Sequence, residues 1–428
     1  MSKEKILSLY FFVVFLYSAT PCNIFSLNGL THNPLFISIP IIFSLYVGFR
    51  CKINYLNKKL LWICAILLLW NLIHIAIDRS FSVSPFPFIE IFVAYTLIKA
   101  FPKDLFLRFE SLTVFLSKIA IVGWLLCLVA HETILNVAYE IGSPGANISQ
   151  SLYVFSIPIK STYREFLLRN CGFAWEPGRF SCFLIIAILL NVHRTKMNLK
   201  DKNFIILLIA LISAQSTTGY LVLIVLLSIY YIANKKVNPI YLVLASILVI
   251  SVFSLPFMTD KISTLYNAGL NIDQEISDLN YLNERGLRDN NDYYVPQRFQ
   301  GFMFQYANLQ ESPLLIGEGR DFTKFYVNKI LKLQVAPSEG LLMIIIQYGV
   351  ILAFCLYFML WKSSRIVSDY FNNRQTTYLF FVAFILLNFS YCLWEVPIFL
   401  AIILFNYFQN NKLNNTYATY INNNSNLQ

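Results

Sequence analysis

The sequence predicts an all-α polytopic integral membrane protein with about twelve transmembrane helices. Hydrophobic residues make up 57% of the 428-residue chain and charged residues 13%, with a mean hydropathy of +0.58, too apolar for an ordinary soluble domain. Apolar runs recur at lengths of roughly 15 to 22 residues, near the ~20 that a helix needs to cross ~30 Å of hydrocarbon with its backbone satisfied internally. Lysine and arginine gather at every second connection between those runs, the pattern that membrane insertion leaves.

In chain order the expected spans are 6–20, 35–49, 60–77, 86–101, 112–130, 176–192, 203–215, 219–233, 239–257, 338–361, 376–391 and 394–409, with the seventh, eighth and twelfth short. Lys3 and Lys5 precede an apolar run, as in a signal peptide, but no small-residue cleavage site follows and more spans do. Residues 1–20 are therefore read as a retained first helix.

Lys3/Lys5, Arg50/Lys52/Lys58/Lys59, Lys99/Lys103/Arg108, Arg194/Lys196/Lys200/Lys202, Lys235/Lys236 and Lys362/Arg365/Arg374 mark the cytoplasmic connections. The intervening short connections, 20–34, 78–85, 216–218 and 392–393, carry only Arg79. Both termini are accordingly placed in the cytoplasm. One transmembrane domain covers 1–409 and sends two long loops outside, 131–175 and 258–337. The Asn-rich segment 410–428 reads as a disordered cytoplasmic tail.

Several function classes are disfavoured. The net charge of +10 does not mark a nucleic-acid binder, because about 19 of the 33 basic residues fall on cytoplasmic loops, where topology accounts for them. The eight cysteines contain no Cys-x-x-Cys, none lies in the 258–337 loop, and four scattered histidines offer no zinc spacing. No disulfide framework, metal or cofactor is expected. No internal repeat is apparent, which argues against an inverted-repeat transporter.

The segment Arg169-Asn-Cys-Gly-Phe-Ala-Trp-Glu-Pro-Gly-Arg179 sets two arginines and a carboxylate where an outer loop enters the sixth span. The large loop holds eight basic and ten acidic residues, so selected arginines must matter more than bulk charge. Within it, 298–310 has aromatics at helical spacing and predicts an amphipathic helix on the membrane surface. Ser312-Pro-Leu-Leu-Ile-Gly-Glu-Gly-Arg320 follows, its glycines allowing a tight turn beside Arg320. Pro337-Ser-Glu-Gly then opens the tenth span, with Ser338 as a cap and Glu339 in the first turn.

Taken together, Arg-x-x-Gly-x-x-x-Glu-Pro-Gly entering a mid-chain span, Arg298 and a Ser-Pro-x-x-x-Gly-x-Gly element in a late outer loop, and Gly340 and Gly349 in the next helix resemble the O-antigen polymerase and ligase superfamily. The resemblance covers roughly 160–361 as motif and most of the chain as topology. It implies a GT-C-like fold in the bacterial inner membrane and glycan transfer from undecaprenyl pyrophosphate to an acceptor sugar at its outer face. The implied partners are the lipid-linked donor and acceptor, membrane lipids, a chain-length regulator and a flippase. Ligases typically carry a histidine at the entrance to the helix after the large loop. Here that place reads Ala336-Pro-Ser-Glu339, which favours a polymerase of O-antigen, capsule or exopolysaccharide repeat units over a ligase. A flippase or transporter is a third possibility, disfavoured because the charge sits on outer loops rather than within the bundle.

The chemistry can be argued from the residues. Transfer from a polyprenyl pyrophosphate must neutralise charge on a diphosphate leaving group, a task that suits arginine. The first outer connection, 20–34, has no carboxylate to hold a metal, so a metal-independent route is expected. Arg179 and Arg298 are the candidate catalytic arginines, with Arg169, Arg164 and Arg320 as substrate ligands. The alternative for each is an interfacial arginine reaching to headgroups. Glu176 is the candidate general base, with a helix-start carboxylate as its alternative, a role that Glu339 could equally fill. Ser216 and Thr217, in a hydroxyl-rich turn, are candidates for sugar contact, and Glu339 is a further candidate substrate ligand. The outer-loop aromatics Trp175, Tyr293 and Tyr294 are read either as sugar-stacking faces or as interfacial belt residues. Glu90, Lys118 and Glu395 fall inside or near spans, where a Glu90–Lys118 or Lys118–Glu395 pairing is expected, with lining of the glycan or lipid cavity as the alternative.

Overall fold

A computed structural model describes residues 2–19, 34–78, 84–141, 149–160, 168–233, 277, 293–294, 298–321, 324–331, 334–335, 339–373 and 377–409. These residues are mostly helical. The expected ninth span, most of the 258–297 stretch, Arg164 and the 410–428 tail lie outside them. The helices are α1 (Lys3–Ala19), α2 (Pro34–Cys51), α3 (Lys58–Asp78), α4 (Phe86–Ala100), α5 (Leu105–Leu135), α6 (Pro177–Thr195), α7 (Lys202–Ala214), α8 (Thr217–Ala233), α9 (Arg298–Glu311), α10 (Tyr326–Leu331), α11 (Met343–Tyr370), α12 (Leu379–Asn388) and α13 (Pro397–Phe408). Three of them, α3, α5 and α11, are long and apolar enough to cross a membrane, and several shorter apolar helices accompany them.

Two helices form the centre. Every residue of α6 from Phe180 to His193 is buried, as is every residue of α13 from Pro397 to Phe405. A helix apolar on all sides needs neighbours on all sides. α6 finds them in α5, α7, α8 and α12, and α13 in α1, α3, α4 and α11. The peripheral helices expose apolar side chains instead: Phe49 of α2 is 83% exposed and Trp62 of α3 66%, as befits surfaces whose solvent is lipid. Phe15, Phe109, Phe173, Phe183 and Phe399 join α1, α5, α6 and α13 through ring contacts of 4.7 to 6.1 Å.

The bundle has two chemically distinct ends. At one end Lys59 Nζ and Lys99 Nζ each donate to carbonyls at the end of α13, those of Tyr407 and Phe408, at 2.6 Å. Lysines at a helix C-terminus meet its unpaired carbonyls and its negative dipole end. The α1 start lies at the same end, since Ser18, near the other terminus of α1, meets the start of α6. Arg194 there makes a two-pronged pair with the buried Glu110, at 2.8 and 3.0 Å, tying α6 to α5, and Asn191 links Glu110 to the α7 cap Asp201. Such pairs carry little net stability but are costly to break singly.

Some boundaries differ from the sequence expectation. The expected fifth span, 112–130, is extended as α5 over Leu105–Leu135 with a bend at Ala130. The charges of its first turns are neutralised locally, Arg108 by Asp104 and Glu110 by Arg194, so they do not stop the helix. The 131–175 loop holds short strands in an otherwise helical chain: β1 (Tyr139–Ile141), β2 (Ser149–Leu152) and β3 (Phe155–Ser156) form one antiparallel sheet, and β4 (Ile159–Lys160) pairs with β5 (Leu168–Arg169). β6 (Tyr293–Tyr294) pairs in parallel with β7 (Gln334–Val335).

α11 begins at Met343 rather than near 338 and is broken at Gly349, where φ 76° and ψ 167° lie in a region open essentially to glycine alone. The break frees carbonyls that a continuous helix would satisfy, and the Ser312–Arg320 segment fills the gap. Glu318 N–H donates to Ile346 O at 2.6 Å, Gly319 N–H to Gln347 O at 3.2 Å, and Val350 N–H to Leu314 O at 2.7 Å. Gly317 and Gly319 adopt positive φ to make this approach. A Cβ at Gly349 would meet Leu315 O at 2.2 Å, and one at Gly317 would meet Ile346 O at 2.6 Å. We therefore expect Gly349→Ala and Gly317→Ala to lower the stability of the purified protein by about 2–4 kcal/mol each, from backbone strain plus steric displacement, in a thermal or denaturant unfolding assay in detergent.

Candidate functional site

At the end opposite the lysines, the sharp turn between α12 and α13 (389–396) receives two arginines from distant parts of the sequence. The first is Arg179, in the opening turn of α6. The loop that delivers it is set by Asn170, fully buried, whose amide donates to Ala120 O and Ser213 Oγ and accepts from Gly172 N–H. Gly172 at φ 59° then lets the chain fold over Phe180, whose ring lies 2.5 Å from where a Cβ would stand, and Phe173 enters the aromatic core. Glu176 is extended at the N-cap position of α6 and makes no side-chain cap bond. Gly178 leaves room for the Tyr391 hydroxyl, 1.9 Å from its absent Cβ. Arg179 follows with its guanidinium 5.9 Å from the Tyr391 ring centre and Nη2 donating to Ser18 O at 3.3 Å. Its Nε is sealed from solvent and has no hydrogen-bond partner among the described residues.

The second is Arg320, carried by the Gly-x-Gly segment that fills the α11 break. Its Nη2 donates to Glu395 Oε1 at 2.9 Å, and its Nη1 is buried without a hydrogen-bond partner among the described residues. Burial disfavours the guanidinium charge, but Glu395, Tyr348, Glu90 and Cys392 together outweigh that penalty, so Arg320 is held protonated more firmly than a free arginine. The segment is anchored from behind, because Trp70 Nε1–H donates to Ile316 O at 2.9 Å and His74 Nε2 lies 3.1 Å from the same oxygen. The Glu395 carboxylate lies within electrostatic range of both Arg320 and Arg179, and Glu90 of α4 within range of Glu395 and Arg320. A buried donor without a partner costs about 1–3 kcal/mol. The site thus holds two guanidinium groups, each with an unmet N–H, around one acidic turn.

The other sequence candidates form the walls. Glu339 is fully buried just before α11, and its carboxylate accepts from Leu341 N–H at 2.7 Å and Leu342 N–H at 3.0 Å, in the manner of a cap. Cys392 Sγ donates to Glu339 O, Trp394 Nε1–H to Gly340 O and Gly340 N–H to Asn388 O, which stitches the α11 entrance to the turn. Arg169, held by the Ile159–Arg169 strand pair, donates to Gln215 O at 3.3 Å. Ser216 is buried, with its hydroxyl 3.1 Å from Ser181 Oγ, and Thr217 opens α8. Next to it Thr218 Oγ1 reaches Ser390 Oγ at 2.8 Å, so this hydroxyl-rich turn braces the α6 entrance against the 389–396 turn. Arg298 opens α9, but its side chain lies outside the described residues, as does all of Arg164.

Two expectations change. Glu395 pairs with Arg320 and not with Lys118, which is exposed on α5 and has no ion pair among the described residues. A membrane-facing lysine can reach toward headgroups, whereas Glu395, inside the turn, needs a fixed cation. The 298–311 helix buries Gln300, Gln305 and Asn308 along with Phe304, and Asn308 Oδ1 accepts from Val327 N–H, so this face docks onto protein. Tyr391, Trp70, His74 and Tyr348, whose ring lies 4.8 Å from that of Trp70 and 5.5 Å from that of Trp394, were not singled out from sequence, because in a chain with 38 Phe and 26 Tyr an aromatic has no distinguishing pattern.

No family model, curated protein or solved structure matches this chain. The arrangement itself can bind a compact oxyanion between fixed guanidinium groups. Glu339 supplies a pH signature: burial pushes its carboxyl up, the backbone N–H donors partly offset this, and the result is about 7 against 4.5 for the free residue. Because the folded state holds the proton more tightly than the unfolded chain, stability is fully present below about pH 4.5 and falls as pH rises through 7. We expect a loss of roughly 1–3 kcal/mol between pH 5 and pH 8 in detergent unfolding, flattened in Glu339→Gln.

Proposed function

We propose that this protein polymerises undecaprenyl-pyrophosphate-linked oligosaccharide repeat units, of O-antigen, capsule or exopolysaccharide, at the outer face of the bacterial inner membrane. It would do so as a multi-pass, GT-C-like glycosyltransferase of about twelve spans with both termini in the cytoplasm. The observation that supports this most is the meeting of Arg179 and Arg320 at the Glu395 turn, at the end of the bundle opposite Lys59 and Lys99. Under the positive-inside rule, that separation from the lysine end supports an exoplasmic position for the arginines.

In this account the guanidinium groups take the diphosphate of the donor, and the unmet Arg179 Nε–H and Arg320 Nη1–H turn to its oxygens as charge grows on the leaving group. The acceptor hydroxyl attacks the anomeric carbon, the C–O bond to the diphosphate breaks, and undecaprenyl pyrophosphate departs. Glu176, extended at the N-cap position of α6 beside Arg179, is the candidate to receive the hydroxyl proton. Arg298 and Arg164 remain candidate ligands from the outer loops. The absence of histidine over 336–339 favours the polymerase over a ligase.

Deletion of the gene should leave single-repeat glycolipid in place of long chains. Complementation with Arg179→Gln or Arg320→Gln should reduce chain formation by about 100-fold or more, with the lysine variants intermediate because they keep charge but lose the two-pronged geometry. The measurement is the glycan ladder on a gel at matched protein level. Full ladders from both Gln variants would remove these arginines from the reaction.

A further inference from the structure

At the lysine-rich end of the bundle a cavity opens between the first turns of α1 and the last turns of α2. Lys3, Ile6 and Leu7 line it from α1 and Val47, Arg50 and Cys51 from α2, and it holds about 130 Å³ of water-accessible space. That is room for about four waters at ~30 Å³ each, and so for a phosphodiester. The two helices are fastened farther in, where the Tyr10 and Ser44 hydroxyls lie 2.9 Å apart and the Tyr10 and Phe43 ring centres 5.5 Å apart. Tyr55 holds α2 from another side: its ring packs where a Gly48 Cβ would stand, and its hydroxyl donates to Ser44 O at 2.9 Å. The wedge beyond the Tyr10–Ser44 contact is therefore framed by two fixed helices. Its floor is apolar, since Ile6 and Val47 are buried. Its mouth is cationic, and no carboxylate lines it.

We propose that this cavity is a binding site for an anionic phospholipid, with the lipid phosphate between Lys3 and Arg50 and the glycerol carbons on Ile6, Leu7 and Val47. Arg50 is oriented by Tyr46, to whose hydroxyl its Nε donates at 3.3 Å and whose ring centre lies 5.8 Å from the guanidinium carbon. Neither Lys3 nor Arg50 has an ion pair among the described residues, so both cations are available to an incoming anion. Basic pockets between membrane helices suit anionic headgroups, whereas a choline or ethanolamine headgroup would bring another cation to a lining that has no carboxylate. The apolar floor offers a lipid contact that a free phosphate cannot use. Beside it Ile42, Leu45 and Phe49 of α2 are exposed, a surface on which acyl chains can lie. The site is at the opposite end from Arg179 and Arg320 and does not depend on glycosyl transfer.

The test titrates full-length protein in a neutral detergent with dioleoyl phosphatidylglycerol, dioleoyl phosphatidylcholine or inorganic phosphate and follows thermal unfolding. Phosphatidylglycerol should raise the wild-type Tm saturably, and the other two probes should not. The Lys3→Gln/Arg50→Gln double variant should bind phosphatidylglycerol about tenfold or more weakly. Both side chains are exposed, so this variant should keep the wild-type Tm without lipid, which shows that it is folded. Lys200→Gln/Lys202→Gln removes two exposed lysines from the same end but outside the cavity and should bind as wild type does. Equal losses in the two double variants would reduce the effect to diffuse charge and overturn the site. So would an unchanged affinity in Lys3→Gln/Arg50→Gln, equal stabilisation by inorganic phosphate or phosphatidylcholine, or no saturable response in wild type.

Discussion

The arrangement depends on backbone satisfaction in a place that has no water to supply it. α11 breaks at Gly349, and carbonyls freed within an apolar bundle cost several kcal/mol each if left unpaired. The Ser312–Arg320 segment removes that cost by bringing its own N–H groups to Ile346 and Gln347. The same bonds that heal the helix fix the chain direction at Gly319, and Arg320 has one place to go. An irregular segment is tolerated at depth because it is a partner to another irregular segment.

On the opposite wall the logic is steric. Gly172 and Gly178 admit the rings of Phe180 and Tyr391 where a Cβ would collide, and Arg179 lies over Tyr391 as a result. Glu395 then sits between two cations that reach it by unrelated routes. Electrostatics alone would not assemble such a group, because burying it costs more than the pair returns. The packed turn, tied at Asn388, Gly340 and Trp394, bears that cost and holds the guanidinium groups ready for an anion.

Much of this was legible in the sequence. Apolar period and length located the helical bundle, and the alternation of lysines anticipated an end where Lys59 and Lys99 meet the close of α13. The glycines of 172, 178, 317, 319 and 349 were visible as a pattern, but their purpose was not, since the pairing of 314–319 with 346–350 is a tertiary contact. Glu395 stood out as a costly charge, yet its partner lies 75 residues away in a loop that periodicity does not describe. The strands of 139–169 escaped notice because two- to four-residue strands leave no alternation to read.

The most direct test is a double-mutant cycle on the affinity of the full-length protein for bare undecaprenyl pyrophosphate, using wild type, Arg179→Gln, Arg320→Gln and the double variant. If both guanidinium groups hold one diphosphate, the double variant should lose less than the sum of the single losses, with a coupling of about 0.5–3 kcal/mol. Strictly additive losses, or single variants that bind as tightly as wild type, would contradict the shared grip on which the mechanism stands.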